Sequence, residues 1–106
     1  MDKTTTSREI KPFVKKLYSQ FAPEKIILFG SRATGKVWKQ SDYDFIIVSS
    51  KFKGVAWLDR ISKVVALWDL LDNIDILPYT PLEFKRKEKE SSVVRQAMKD
   101  GKLLAL

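Results

Sequence analysis

Apolar residues recur every three or four positions from Ile10 to Phe21: Ile10, Phe13, Val14, Leu17, Tyr18 and Phe21 form one stripe. That is the period of an amphipathic helix with one side packed. Thr6 and Glu9 have the spacing of a capping box, which predicts a helix start near Thr6, and Pro23 lies just beyond the end. The pattern then changes. Ile26-Ile27-Leu28-Phe29 is a continuous apolar run closed by Gly30, as in a buried strand. After a polar stretch from Ser31 to Ser41, Tyr43 to Val48 reads as a second strand. Helical spacing returns in Trp57, Leu58, Ile61, Val64, Val65, Trp68 and Leu71, so Trp57 and Trp68 are expected in the core. Ile74-Asp75-Ile76-Leu77 is a third strand, ended by Pro78.

Thr80-Pro81-Leu82-Glu83 combines a capping box with proline at the first helical position and predicts a helix. Its run Lys85-Arg86-Lys87-Glu88-Lys89-Glu90 mixes both signs and suits a solvated face, although it also has the charge to attract nucleotide or RNA. Val93, Val94, Ala97 and Met98 predict a last helix, stopped at Gly101. The apolar tail Leu103 to Leu106 suits an edge strand, a partner contact, or a contact with a second copy in a homo-oligomer. No repeat or linker interrupts the chain, which reads as one domain over residues 1–106. The order predicts an α/β (α+β) unit with a small sheet and helices mostly on one face.

Composition narrows the chemistry. The 106 residues contain no cysteine and no histidine. Disulfides, Cys/His zinc sites, catalytic triads and histidine acid–base work are thereby excluded. A metal would be a hard cation on oxygen ligands, and a general base would be a carboxylate, lysine or tyrosine. No stretch approaches a membrane span, and the polar start lacks a signal-peptide core, so the expected compartment is the cytoplasm and no membrane is involved. The net charge of +7 points to a polyanionic partner or simply to a solvated basic surface.

Asp42 and Asp44, two apart at a strand start, project from one face. Asp75 interrupts an apolar run, where a charge is costly unless paired or bound to a metal. Neighbouring second and third strands would bring the three carboxylates together, and their repulsion would call for a divalent cation. The plainer alternative is a turn cap at Asp42, a strand-end acid at Asp44 and a solvent-facing Asp75. Gly30-Ser31 after the first strand allows close backbone approach to a ligand, with Arg32 as an adjacent positive charge; alone it is an ordinary turn. Trp38, in the polar loop, suits either base stacking or packing on the sheet edge. Tyr79 and Thr80 are close enough to the third strand to lie near a site, and Thr80 also suits a helix cap.

Together, Gly30-Ser31-Arg32-Ala33-Thr34-Gly35, a short spacer, Ser41-Asp42-Tyr43-Asp44 and the later Asp75 resemble the signature of DNA polymerase beta-like nucleotidyltransferases, in particular the minimal nucleotidyltransferase (MNT) family. The resemblance covers nearly the whole chain, with no departure at the signature positions. It implies a nucleotidyltransferase fold with a mixed sheet flanked by helices. Gly30 and Ser31, with Arg32, would hold the triphosphate of ATP or another nucleoside triphosphate. Asp42, Asp44 and Asp75 would be catalytic and would ligate two Mg²⁺ ions, Mn²⁺ being an alternative. It also implies the antitoxin half of a HEPN/MNT pair, with AMP transferred to a HEPN-type protein. The competing reading is a binding module that neutralises such a partner by contact alone. A nucleic-acid-binding domain is the third reading; no nucleic-acid motif or stacking platform supports it.

Overall fold

The structure is a computed structural model that describes residues 3–5, 7–34 and 42–105, the first three by their backbone. Thr6, Gly35, Trp38 and Ser41 lie outside the described residues. The elements are β1 (Lys3–Thr5), α1 (Lys11–Phe21), β2 (Lys25–Phe29), α2 (Ser31–Thr34), β3 (Tyr43–Val48), a 3-10 turn at Ser50–Phe52, α3 (Trp57–Val65), β4 (Ile74–Tyr79), α4 (Pro81–Glu90), α5 (Ser92–Asp100) and β5 (Lys102–Ala105). The sheet is mixed, in the order β1-β5-β2-β3-β4. β2 runs antiparallel to both β3 and β5, while the β3–β4 and β1–β5 pairs are parallel.

The apolar runs of β2 and β3 have a structural reason: both sheet faces are covered, so alternation with polar residues is lost. Tyr43, Phe45 and Ile47 face α1 and join Phe13, Val14, Leu17 and Val64 in one core. Ile46 and Val48 face the other way and meet Phe84 of α4 and Val94 and Ala97 of α5. The helices therefore cover two faces, not mostly one as the sequence suggests. Binary pattern reports that a segment is buried, but not which partner lies on which side.

Four further local expectations change. α1 starts at Lys11, after Ile10, with Pro12 in its first turn and no side-chain cap; a fixed proline φ favours the start there. Glu9, outside the helix, instead accepts a 3.0 Å hydrogen bond from the Tyr43 hydroxyl. β4 continues through Pro78 to Tyr79. It is the outermost strand, and a proline in a sheet is tolerated where its missing N–H faces away from the ladder. The tail is a strand, as one reading had it, but it lies between β1 and β2, not at an edge. Gly101 does end α5, yet with extended backbone (φ −77°) and no left-handed cap. Its need for glycine is steric: a Cβ would overlap the Ala97 carbonyl and come 2.9 Å from the Leu28 carbonyl.

α3 departs furthest from its stripe. Val64 is buried and Trp68, just past the helix, packs on Phe13, Tyr43 and Phe45 as expected. Trp57 is on the rim, 38% exposed and 5.4 Å from the Tyr79 ring, while Leu58, Val65 and Leu71 face solvent. The buried place goes to Arg60. It donates to the Val55 carbonyl (2.7 Å), the Pro78 carbonyl (3.1 Å) and both Glu83 oxygens (2.6 and 3.3 Å). Each donor that could be buried at a loss finds an acceptor, which is what lets an arginine replace an apolar residue there. Glu83 also completes the predicted capping box with Thr80.

Candidate active site

The acids converge because β3 and β4 pair in parallel with Asp44 opposite Asp75. Residues opposite one another project from the same face, here the one covered by α4 and α5. Phe29, the last residue of β2, is the register partner of Asp44 on its other side. Gly30 follows at φ +74°, a left-handed conformation that glycine takes without penalty. The close approach is as demanding as the φ: a Cβ on Gly30 would overlap the Asp44 carboxylate. The chain thus turns directly over an acid. The Gly30 carbonyl then accepts from the Ala33 and Thr34 amides, which starts the single turn of α2 at Ser31.

Asp44 is held in an unfavourable ionised state. Burial raises its pKa first, then the Asp75 charge and a hydrogen bond to Asp75, then the Asp42 charge, from the usual 3.8 to about 6. Asp75 is therefore within hydrogen-bonding reach of Asp44, and Asp42 acts on Asp44 through its charge. Among the described residues, no three acidic side chains group closely enough to hold a metal by themselves. Mg²⁺ does not need such a cage; it binds through one or two carboxylates and takes the rest of its shell from water and substrate phosphates. Two repelling carboxylates beside a backbone turn fit that ligand set.

A cavity of about 460 Å³ opens beside Gly30, walled by Phe29, Thr34, Ser92, Val93, Gln96 and Asp100. Its size is in the range of small-ligand sites, and it combines apolar walls with hydroxyl, amide and carboxylate groups. Of these, only Thr34 lies within the glycine-serine motif that the sequence singles out. The available signal is Val93, an apolar side chain at the outer start of α5 that remains 54% exposed. The family described as Polymerase beta, Nucleotidyltransferase matches residues 9–105. The chain belongs to that nucleotidyltransferase family.

A candidate nucleotidyltransferase from Sulfolobus solfataricus is similar at 28% identity, with 86% of this chain and 71% of that one covered and a TM-score of 0.58. A chain from the crystal structure of a toxin–antitoxin with AMP-PNP shares the fold at 22% identity and TM-score 0.53, covering 86% of this chain and 68% of that one. Caffeine-induced protein 16 of Schizosaccharomyces pombe is 39% identical over 56 residues; the match takes in 53% of this chain and 5% of that far longer protein.

The remaining sequence candidates fall in different places. Arg32 lies with its guanidinium 4.2 Å from the centroid of the Tyr43 ring, donates to the Tyr43 hydroxyl at 3.4 Å and pairs with Asp72 at 3.8 Å. Tyr43 belongs to the α1 face, so these contacts draw Arg32 toward the side opposite Asp44. Tyr79 is on the same strand and face as Asp75 but four residues on, about 13 Å at strand rise. Thr80 is a helix cap. The basic run of α4 is largely exposed, as a solvated helix face should be. No described helix is long and apolar enough to cross a membrane.

Proposed function

We propose that this nucleotidyltransferase is a cytoplasmic, Mg²⁺-dependent enzyme that transfers AMP from ATP to a hydroxyl on a protein acceptor, and that this acceptor is a HEPN-type toxin partner. The Asp44–Asp75 pair beside Gly30 is the observation that carries this reading: the fold spends stability to keep two repelling acids together where a nucleotide's phosphates can reach them. The cavity next to Gly30 has room for the nucleoside, and the Gly30-Ser31 backbone offers N–H groups to the triphosphate. Similarity in fold to a toxin–antitoxin chain solved with an ATP analogue supports the choice of partner and nucleotide.

Asp44 and Asp75 would hold the metal, with the charge of Asp42 close by; two ions would occupy the full site, with Mn²⁺ able to substitute. Bound there, the metal supplies charge neutralisation at the phosphates. In the transfer, the acceptor hydroxyl oxygen forms a bond to the α-phosphorus while the α–β bridging P–O bond breaks. Pyrophosphate leaves with that electron pair, and the hydroxyl proton passes to the Asp75 carboxylate and on to solvent. The protein contributes position and charge, which this reaction class chiefly needs and which requires neither histidine nor cysteine.

Titration calorimetry with ATP and Mg²⁺ tests the nucleotide half of the reading. Failure to bind any ribonucleoside triphosphate with either Mg²⁺ or Mn²⁺ would overturn it. Mass spectrometry of a HEPN partner after incubation with ATP and Mg²⁺ tests the acceptor half; an adenylylated tyrosine is expected, and label confined to small molecules would exclude a protein acceptor.

A further inference from the structure

β4 is the last strand of the sheet, with no strand beyond it among the described residues. The Tyr43 amide bonds the Asn73 carbonyl and the Ser49 amide bonds the Tyr79 carbonyl, both at 2.9 Å, so odd-numbered residues of β4 turn their backbone groups toward β3. Ile74, Ile76 and Pro78 then turn theirs outward. The Pro78 end is closed: it has no N–H, and its carbonyl accepts from Arg60. Among the described residues nothing bonds the outward amides and carbonyls of Ile74 and Ile76. Sheet edges are commonly guarded by proline, charge or a covering element, because an open edge recruits another strand. Here the guard stops short of the half that flanks Asp75.

The surface around that half is apolar. Leu71, three residues before Ile74, is fully exposed, and Leu58 and Val65 are 74% and 40% exposed, seven apart along one face of α3. It is also less basic than the rest of the protein. From Trp57 to Asp75 there are two cations and four carboxylates; Asp69 and Asp72 pair with Lys16 and Arg32, and Arg60 with Glu83, which leaves Asp59 and Asp75 against Lys63 in a chain whose net charge is +7. A polynucleotide needs the opposite sign. A second copy related by a two-fold would set Asp75 and Asp59 against their own equivalents. What fits is a segment of another protein with apolar and basic side chains.

We infer that the acceptor protein adds an extended segment to the sheet along the Ile74–Ile76 edge, with its neighbouring apolar residues seated on Leu58, Val65 and Leu71. This inference rests on the transferase reading above. Strands pair about 4.8 Å apart with alternate side chains on each face, so one residue of the added segment comes beside Asp75 on the face of the acid pair. A hydroxyl there is next to the group that takes its proton. The main chain supplies the affinity and the single alternating position selects the hydroxyl residue.

The probe is a nine-residue peptide of alternating valine and lysine with a central tyrosine, given with ATP and Mg²⁺ and read by mass spectrometry. Two further copies are N-methylated at one or the other set of alternate amides, and a single-stranded RNA is run alongside. The expected result is AMP on the peptide tyrosine, lost at least tenfold in one N-methylated copy. Leu71→Asp and Leu58→Asp change fully or largely exposed side chains and should each reduce peptide labelling at least tenfold with ATP affinity unchanged. Equal labelling of all three peptides, label on the RNA alone, no label on the peptide from an enzyme that binds ATP, or full transfer by both variants would overturn the inference and leave the transferase reading standing. An enzyme that binds no nucleotide would overturn that reading itself, and this inference with it.

Discussion

The two ends of β4 treat charge in opposite ways. At its start, Asp75 faces Asp44 across the ladder, and among the described residues no cation pairs with either; burial and repulsion lift Asp44 to about 6. At its far end, Glu83 meets Arg60 in a two-pronged pair, and this hydrogen bond, with the Thr80 amide, holds Glu83 below its usual pKa of 4.5. One end is complete as folded. The other is stable only because the rest of the fold supports it, and it gains from a ligand that brings positive charge. Carboxylates raised by burial and repulsion cluster at functional sites, whereas an acid with its donors already in place is commonly part of the architecture.

The strongest way to break this contrast is to neutralise each end in turn. Asp44→Asn should reduce AMP transfer by on the order of 10²–10³ in rate while the protein remains folded, because it removes charge stabilisation where charge develops. Full activity in that variant, measured with the labelled acceptor, would remove Asp44 from the site. Arg60→Met should do the reverse. It leaves the Val55 and Pro78 carbonyls without their donor and costs about 2–4 kcal/mol in urea unfolding, with transfer per folded molecule unchanged. A cost under about 1 kcal/mol would mean the pair behaves as a surface ion pair.

Gly30→Ala sharpens the comparison at the first end. The left-handed backbone alone costs about 1–2 kcal/mol for a residue with a Cβ. The overlap with Asp44 must then push the carboxylate aside, so transfer should fall along with stability. A variant that unfolds at the wild-type urea midpoint would contradict the close contact.

The smallest effect is in pH, and its sign differs between the ends. Asp44 has a folded pKa above its unfolded value, so its contribution to stability is fully present below about pH 3.8 and is lost as pH rises through about 6. Without metal, Asp44→Asn should therefore raise Tm at pH 7.5 and leave it unchanged at pH 3.5. Glu83 has a lowered folded pKa; its contribution is present above 4.5 and is lost as pH falls through that lowered value. Glu83→Gln should lower Tm at neutral pH, with the difference closing in acid. Thermal melts across pH 3 to 8 check both, and parallel curves for wild type and Asp44→Asn would show that the acid pair is not coupled.

Several signals confined to a few neighbouring residues hold in the structure, although the Thr6–Glu9 spacing and the strand end at Pro78 do not. β3 runs over Tyr43–Val48 as its apolar run predicts, and the Thr80–Glu83 box and the stop at Gly101 bound α4 and α5. The α3 stripe misled because apolar residues there serve two surfaces: Val64 packs inward while Leu58, Val65 and Leu71 face solvent. Arg60 was overlooked since its acceptors, the Pro78 carbonyl and Glu83, are 18 and 23 residues away. The cavity-lining Ser92 and Gln96 carry no local pattern at all; α5 returning to β2 brings them to Thr34 of the glycine-serine motif.

The sequence by itself determined what the chemistry has to be made of: carboxylates and backbone, with no thiol or imidazole, and a glycine placed between a strand and an acid-bearing one. Local spacing also predicts that Asp42 and Asp44 share a face, since strand side chains alternate whatever the fold, although Asp42 lies one residue before β3. That Asp75 stands opposite Asp44, and that Gly30 presses on the same carboxylate, was decided only by the tertiary structure. Register between strands thirty residues apart is set by which faces bury and which ladder closes, and desolvation depends on every element packed around the group. Charge repulsion between two acids exists only once the sheet has brought them together.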